Sequence, residues 1–224
     1  MLQLTDADRQ KVSAAIGAAE AKSKGEIVAV ATPLSDPYHD VGLHWALVPL
    51  FAVLAWAAWR RTALVWWYDF LFGGWSPDPT LSQLFTLLMV FAALKFTVAL
   101  LILKWMPLRL MLTPRATKHR RVRRRAISIF KAAAERRTAG RTGILIYLSM
   151  GERRAEIVAD EAILKVTDDH TWGEALASLV GVVRQGRPAD GIVAAIERVG
   201  VVLAEHFPRT DSDINEIPDK LIEL

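Results

Sequence analysis

Two long apolar stretches constrain this chain more than any other feature. The first, residues 41–59 (VGLHWALVPLFAVLAWAAW), contains no Lys, Arg, Asp or Glu, and the second, residues 81–105, is interrupted only by Lys95 and Lys104. Nineteen helical residues rise about 28 Å, close to the thickness of a hydrocarbon core. Two buried helices in a soluble core are the alternative, which the length and apolarity of the stretches disfavour in a chain of 224 residues. The sequence therefore predicts a two-helix transmembrane hairpin.

The segment between the stretches, residues 60–80, is rich in aromatic residues: Trp66, Trp67, Tyr68 and Trp75. Such side chains favour the headgroup region, and the motif SPDP indicates a turn, so we expect a short interfacial loop. Lys95 lies near the middle of the second stretch. We interpret it as a snorkelling side chain rather than a functional cation paired across an oligomer, because neither stretch offers an acidic partner.

Charge is distributed unevenly along the chain. Residues 41–125 carry a net charge of +10, whereas residues 1–40 carry −2 and residues 126–224 carry −4. Seven cations lie within residues 115–125, ten to twenty positions after the second stretch: Arg115, Lys118, Arg120, Arg121, Arg123, Arg124 and Arg125. Cations in this window set membrane topology and contact anionic lipid headgroups. Both termini are therefore predicted to be cytoplasmic.

The basic run could instead bind nucleic acid. No aromatic residue lies between Trp105 and Phe130 to stack on bases, and the flanking segments are acidic. We therefore favour lipid contact and expect no nucleic-acid partner.

The flanking segments predict one α/β domain built from both ends of the chain. Residues 5–22 have the pattern of an amphipathic helix with Thr5 as N-cap, and residues 26–32 that of a buried strand. Residues 118–138 predict a helix, residues 143–149 and 154–159 a strand hairpin, and residues about 171–185 and 189–206 two further helices. Because continuous apolar strands are covered on both faces, we expect 26–32 to pair in parallel with 143–149.

This order of elements resembles the TPM domain family. The resemblance covers residues 1–40 and 115–224, and its most specific parts are RTGILIYLSMGERRAEIVADEAI and the C-terminal DINEIPDKLIEL. It implies a three-layer α/β/α sandwich around a small mixed sheet, here interrupted by the transmembrane hairpin. We accordingly divide the chain into residues 1–40 and 113–207 as the domain, 41–112 as the hairpin, and 208–224 as a tail.

The resemblance implies a membrane-tethered module that helps other membrane proteins, in bacteria often of the LemA type. Some members are weak acid phosphatases, and some bind calcium through acidic residues at strand ends. Asp160, Glu161 and Ala162 stand where many members have a Gly-Tyr-Gly-like turn, which argues against both activities here. The leading hypothesis is a non-enzymatic interaction or quality-control module that requires no cofactor; a calcium- or magnesium-dependent phosphatase-like hydrolase is the alternative.

Acidic residues after the strands are the candidates for a metal site. Asp160 follows the third strand, and Asp168 and Asp169 precede a helix; Asp36 and Asp40 follow the first strand. Groups beyond the carboxyl ends of strands can converge, and carboxylates suit calcium or magnesium. Helix capping by Asp168 and Asp169 is the alternative that we favour, because no EF-hand spacing is present.

The C-terminal tail is a candidate docking surface, because its apolar residues need a surface to cover: Ile214, Ile217, Leu221 and Ile222.

Overall fold

The chain consists of two compact units. The computed structural model describes residues 4–73, 78–133, 142–209 and 220–224. Unit 1 comprises Met1–Asp36 and Arg115–Leu224, and unit 2 comprises Pro37–Pro114. Unit 1 is therefore discontinuous in sequence, and unit 2 is an insertion into it.

Unit 1 is built on a four-stranded mixed sheet. Its strands are β1 (Glu26–Thr32), β2 (Gly143–Ser149), β3 (Arg154–Ala159) and β4 (Ile222–Glu223), in the order β3-β2-β1-β4. β1 pairs in parallel with β2 along its whole length, from Glu26 opposite Gly143 to Thr32 opposite Ser149, and β2 pairs antiparallel with β3. The predicted parallel pairing of β1 with β2 and the predicted strand hairpin of β2 with β3 are both confirmed. Every residue of β1 and β2 is buried, as expected for central strands covered on two faces.

Helices cover both faces of this sheet and make it the middle of three layers. On one face, α1 (Asp6–Glu20), α8 (Asp169–Val183) and α9 (Pro188–His206) enclose the larger core, with buried side chains such as Ile16, Leu179 and Ile196. On the other face, α6 (Arg115–Ala133) packs Val122, Ala126 and Phe130 against alternate residues of β1 and β2. The mixed α/β fold is as predicted.

Three helices of unit 1 begin at residues that are favourable at a helix N-terminus. At the start of α1, the backbone N–H of Asp8 donates to the Thr5 hydroxyl and the N–H of Thr5 donates to the Asp8 carboxylate, which is a capping box. At the start of α8, Asp168 accepts from the N–H of Thr171. Pro188 opens α9 at a position where its missing N–H has no helical partner to lose.

Unit 2 is helical: α2 (His39–Trp59), α3 (Arg61–Phe72), α4 (Leu81–Ile102) and α5 (Met106–Leu112). α2 and α4 pack against each other, and both are long and apolar enough to cross a membrane. Arg109 of α5 is buried and donates to the carbonyls of Leu103 and Pro37 at 2.9 and 2.7 Å. The guanidinium thereby joins the end of α4 to the segment that precedes α2.

The structure differs from the sequence predictions at several elements. Residues 61–72 form a helix, whereas a short interfacial loop was predicted for residues 60–80. Residues 74–77, which include Trp75, lie outside the described part. The second apolar stretch stops being helical at Ile102 and is followed by the unpredicted α5. A four-residue helix, α7 (Glu161–Leu164), and strand β4 were also not predicted. The described part of the helix predicted at 118–138 spans Arg115–Ala133.

Candidate functional site

The carboxyl ends of β1 and β2 lie at the same edge of the sheet, because the two strands are parallel and in register. The turn from β2 to β3 returns here and contacts the segment that leaves β1: Gly151 N–H donates to the carbonyl of Pro33 at 2.9 Å. A Cβ at Gly151 would lie 2.6 Å from that oxygen, so only glycine permits this approach. We call this the carboxyl edge; it is where ligand sites are most often found in α/β sheets.

Glu152 is the centre of the polar contacts at the carboxyl edge. Its side chain is buried and accepts from the backbone N–H of Ser35 at 3.0 Å and from the hydroxyl of Ser149. A buried carboxylate is stable only when hydrogen bonds replace its hydration, and these donors supply that replacement. The Ser149 hydroxyl is fully buried and committed to Glu152, so its geometry is that of a structural contact and not of an exposed nucleophile.

Tyr147 and Asp36 extend this network on the α6 face of the sheet. The Tyr147 hydroxyl lies 2.9 Å from the Ser35 hydroxyl, and burial raises the pKa of Tyr147 against the opposing effect of that hydrogen bond. Arg121 of α6 donates to Asp36 at 2.8 Å. The polar groups of the carboxyl edge therefore hold residues 32–36 against the sheet and α6.

Asp160 does not lie at the carboxyl edge with Asp36 but at the opposite ends of the strands, next to the amino end of β2. β3 runs antiparallel, so its carboxyl end meets the amino end of β2, where Asp160 accepts from the N–H of Gly143 at 2.9 Å. The expectation that acidic groups after the strands converge is wrong for this pair, because convergence requires strands that run in the same direction. Asp160 is also buried, and the hydrogen bond to Gly143 extends the pairing of β2 and β3 by one residue.

Asp168 serves as a helix cap. Its Oδ1 accepts from the N–H and the hydroxyl of Thr171 at 2.9 and 2.7 Å, and these bonds lower the pKa of Asp168. Asp169 is the first residue of α8, and its side chain lies outside the described part. Among the described side chains, no three His, Asp or Glu residues gather in a way that could hold a metal ion. The metal assignment to Asp160, Asp168 and Asp169 remains a prediction.

The basic run forms the exposed side of α6. Arg115, Arg120, Arg123, Arg124 and Arg125 are exposed, whereas Lys118 and Arg121 are half-buried. His119 lies 3.6 Å from the carboxylate of Glu156 on β3. Burial raises the pKa of Glu156, while His119, Arg123 and Arg154 oppose that rise. Lipid contact by these cations is a prediction that the helix geometry accommodates, since one face is apolar and the other carries the charge.

Unit 2 exposes much of its apolar surface. In α2 and α4, only 22% and 11% of the most apolar window is buried. α3 adds exposed aromatic side chains: Trp66 and Phe70 stack at 5.6 Å, and Trp67 packs edge-on against Phe91 of α4. Lys95 is exposed, and no carboxylate within the described residues forms an ion pair with it.

The described end of the C-terminal tail pairs and packs within unit 1. Leu221 packs against the larger core, and Ile222 pairs with Val30 as part of β4. Arg9 of α1 donates to Glu223 at 2.6 Å and secures the strand. Ile214 and Ile217 lie outside the described residues. Leu221 therefore uses its apolar surface within unit 1, whereas the side chain of Ile222 remains 37% exposed, so its docking role stays a prediction.

Sequence reasoning missed the role of Glu152. Glu152 lies in the short connection between the two strands of the predicted strand hairpin, and a charged residue in such a turn is ordinarily solvated. The sequence did contain one indication, because Ser149 and Glu152 are three residues apart across a turn at the end of a buried parallel strand. That spacing brings a hydroxyl and a carboxylate together, but it does not reveal that residues 33–35 cover them.

Comparison with known proteins supports the fold. Residues 107–202 match the family model of the TPM domain, which confirms the resemblance over that segment. The chain is similar in structure to the BA42 protein from the psychrophilic bacterium Bizionia argentinensis, solved by NMR: the TM-score is 0.56 at 18% identity, covering 99% of this chain and 95% of that one. At this identity the similarity shows the fold alone. No curated protein matches the chain.

Proposed function

We propose that this chain, whose residues 107–202 match the family model of the TPM domain, is a membrane-anchored, non-enzymatic interaction module. In this proposal α2 and α4 cross the bacterial inner membrane, and unit 1 lies in the cytoplasm. Unit 1 and α3 bind other membrane proteins, LemA-type proteins being the expected class, and assist their assembly or quality control.

The observation that carries the proposal is the exposed apolar surface of α2 and α4. Core helices of a soluble protein are mostly buried, whereas the windows of these two are buried by only 22% and 11%. Leaving large side chains such as Phe51, Phe85 and Met89 in water costs about 25 cal/mol per Å² of apolar surface. A bilayer removes that cost. The cations of α6 support the orientation, because each contributes about 1 kcal/mol at an anionic lipid surface.

The aromatic face of α3 supports a partner-binding role. Trp66 and Phe70 are both exposed and stacked on each other, and aromatic residues supply much of the binding energy at protein interfaces. Their position on a rigid helix, braced by Trp67 against Phe91, preorganises the surface.

The geometry of the acidic residues supports a non-enzymatic role over the hydrolase alternative. A metal-dependent phosphatase needs carboxylates free to bind the ion, whereas the oxygens described for Asp160 and Asp168 accept backbone hydrogen bonds. Both carboxylates therefore have a role in the fold that requires no substrate.

Photo-crosslinking in native membranes tests the proposal. A photoreactive residue replaces Leu71 on α3, and the crosslinked proteins are identified by mass spectrometry. We expect defined membrane-protein partners that are lost in a Trp66→Leu, Phe70→Leu double variant and retained in Asp160→Asn. The double variant keeps the apolarity of α3, and its unchanged membrane fraction is the control.

The hydrolase alternative is tested with the same variants. p-Nitrophenyl phosphate is supplied with calcium or magnesium, and turnover is measured. Metal-dependent turnover abolished by Asp160→Asn, together with crosslinks that survive the double variant, would overturn the proposal.

A further inference from the structure

A cavity of about 480 Å³ lies in unit 1 beside the turn between β2 and β3, and it is lined neither by the polar groups of the carboxyl-edge network nor by the acidic residues discussed above. Three segments form it: the turn between β2 and β3, the end of α8, and the start of α9. Its floor is apolar and includes Met150, Val180 and Val183, which also pack against the larger core. The cavity is therefore bordered by residues that also belong to the packed interior of unit 1.

The rim of this cavity is strongly cationic. Arg153, Arg154 and Arg184 border it, and no acidic residue does. Among the described residues, no carboxylate pairs with Arg153 or Arg184, whereas Arg154 donates to the carbonyl of Arg115. The nearest acidic residue on α9, Asp190, is bound to Lys11 and Arg187. Arg153 and Arg184, which are both exposed, thus border a partly apolar cavity and have no carboxylate partner among the described residues.

Arg184 has an ordinary structural explanation, and Arg153 does not. Arg184 is the C-cap residue of α8, where a cation stabilises the helix dipole. Arg153 has a backbone φ of +52°, a left-handed conformation that a glycine would adopt without strain. The chain thus has an arginine at a turn position where glycine would be less strained, and this arginine borders the cavity.

We propose that this cavity binds an amphipathic organic anion, in which a carboxylate or phosphoryl group contacts Arg153 and Arg184 and an apolar group covers Met150 and Val183. The planar guanidinium suits both kinds of anion, because it donates two parallel hydrogen bonds to either. The apolar floor excludes fully hydrated inorganic anions as preferred ligands, since they leave that surface uncovered. The site is independent of the membrane-anchoring function proposed above.

Isothermal titration calorimetry on the full-length chain in phosphatidylcholine nanodiscs tests the proposal. The probes are phenylphosphonate and benzoate as amphipathic anions, benzyl alcohol as the uncharged counterpart, and inorganic phosphate as the anion without an apolar group. We expect at least one amphipathic anion to bind at least about tenfold more tightly than either comparison compound, a difference of about 1.4 kcal/mol. Binding of phenylphosphonate alone would assign a phosphoryl ligand, and binding of benzoate alone a carboxylate.

Two variants and one control connect the binding to the cavity. Arg184→Met and Arg153→Gly should each weaken binding at least about fivefold, whereas Arg198→Met, at an arginine that pairs with Glu174 and does not border the cavity, should leave binding unchanged. Arg153→Gly should also unfold at the same or a higher temperature, because glycine relieves the left-handed backbone. Absence of binding by both amphipathic anions, equal binding of inorganic phosphate, or full affinity in Arg153→Gly would overturn the proposal.

Discussion

Arg121 donates a hydrogen bond to Asp36 at 2.8 Å, and these two residues stand on either side of the inserted unit 2. Asp36 is the last residue of unit 1 before the insertion, and Arg121 lies in the second turn of the helix that follows it. The ion pair therefore joins the two halves of the discontinuous domain at the point where the chain leaves and re-enters. It gives one of the seven cations of the basic run a structural role.

Breaking this ion pair should loosen the domain. We expect Asp36→Asn and Arg121→Met each to lower the free energy of unfolding by about 0.5–1 kcal/mol, because the side chains are only 34% and 17% exposed. Thermal unfolding of the full-length chain in nanodiscs measures the effect. Arg120→Met, at an exposed neighbour, is the control. Strictly additive effects in the double variant would show that the two residues do not act as a pair.

Glu156 should make unit 1 more stable in mild acid. Burial raises the pKa of this carboxyl in the folded chain above its ordinary value of 4.5. The folded state consequently binds more protons than the unfolded state between these two pKa values, so this group adds stability as the pH falls through its folded pKa toward 4.5. Glu156→Gln should flatten the dependence of the unfolding midpoint on pH in that range. An unchanged slope would contradict the burial of this charge.

Two glycines in the packed helices α8 and α9 should respond oppositely to alanine. A Cβ at Gly191 would lie 2.8 Å from the carbonyl oxygen of Leu179, whereas nothing lies within 4 Å of one at Gly181. We expect Gly191→Ala to destabilise unit 1 by about 1–3 kcal/mol through overpacking. Gly181→Ala should stabilise it by up to about 1 kcal/mol, since alanine favours a helix interior. Equal effects in chemical denaturation would contradict the close contact of α8 with α9.

Asp168 offers a test that separates a helix cap from a metal ligand. Asparagine caps helices as well as aspartate, so Asp168→Asn should leave the melting temperature near that of the unmodified chain, whereas Asp168→Ala should lower it. The pKa of Asp168 is lowered in the folded chain, so the charge-dependent part of its contribution is lost as the pH falls through that lowered pKa. A calcium-dependent rise in melting temperature that Asp168→Asn abolishes would instead assign a metal site.

The sheet was predictable because its strands are encoded locally. The continuous apolar runs at 26–32 and 143–149 predict two central strands that are covered on both faces. They also predict the parallel pairing, because each such strand needs a neighbour inside the sheet. Strand β4 was not predictable in this way. Only Ile222 and Glu223 form it, and its position depends on contacts between the two ends of the chain, including the ion pair of Arg9 with Glu223, which are 214 residues apart in sequence.

The candidate sites were less predictable than the fold, because polar contacts depend on strand direction and burial. Asp160 and Asp36 both follow strands in the sequence, yet the antiparallel direction of β3 places them at opposite edges. In the sequence Glu152 resembles a solvated turn residue, and only the structure shows that residues 33–35 cover it. Arg153 is one arginine among many in the sequence, and only its left-handed backbone and the adjacent cavity distinguish it.

Labelling of single cysteines tests the central claim, that α2 and α4 cross the membrane and leave unit 1 in the cytoplasm. The chain contains no native cysteine, so Asp78→Cys, between α3 and α4, and Glu205→Cys, on the exposed surface of α9, each provide one thiol. In intact cells, a membrane-impermeant maleimide should label residue 78 and leave residue 205 unlabelled until the membrane is permeabilised. Labelling of residue 205 in intact cells, or protection of both residues, would contradict the account.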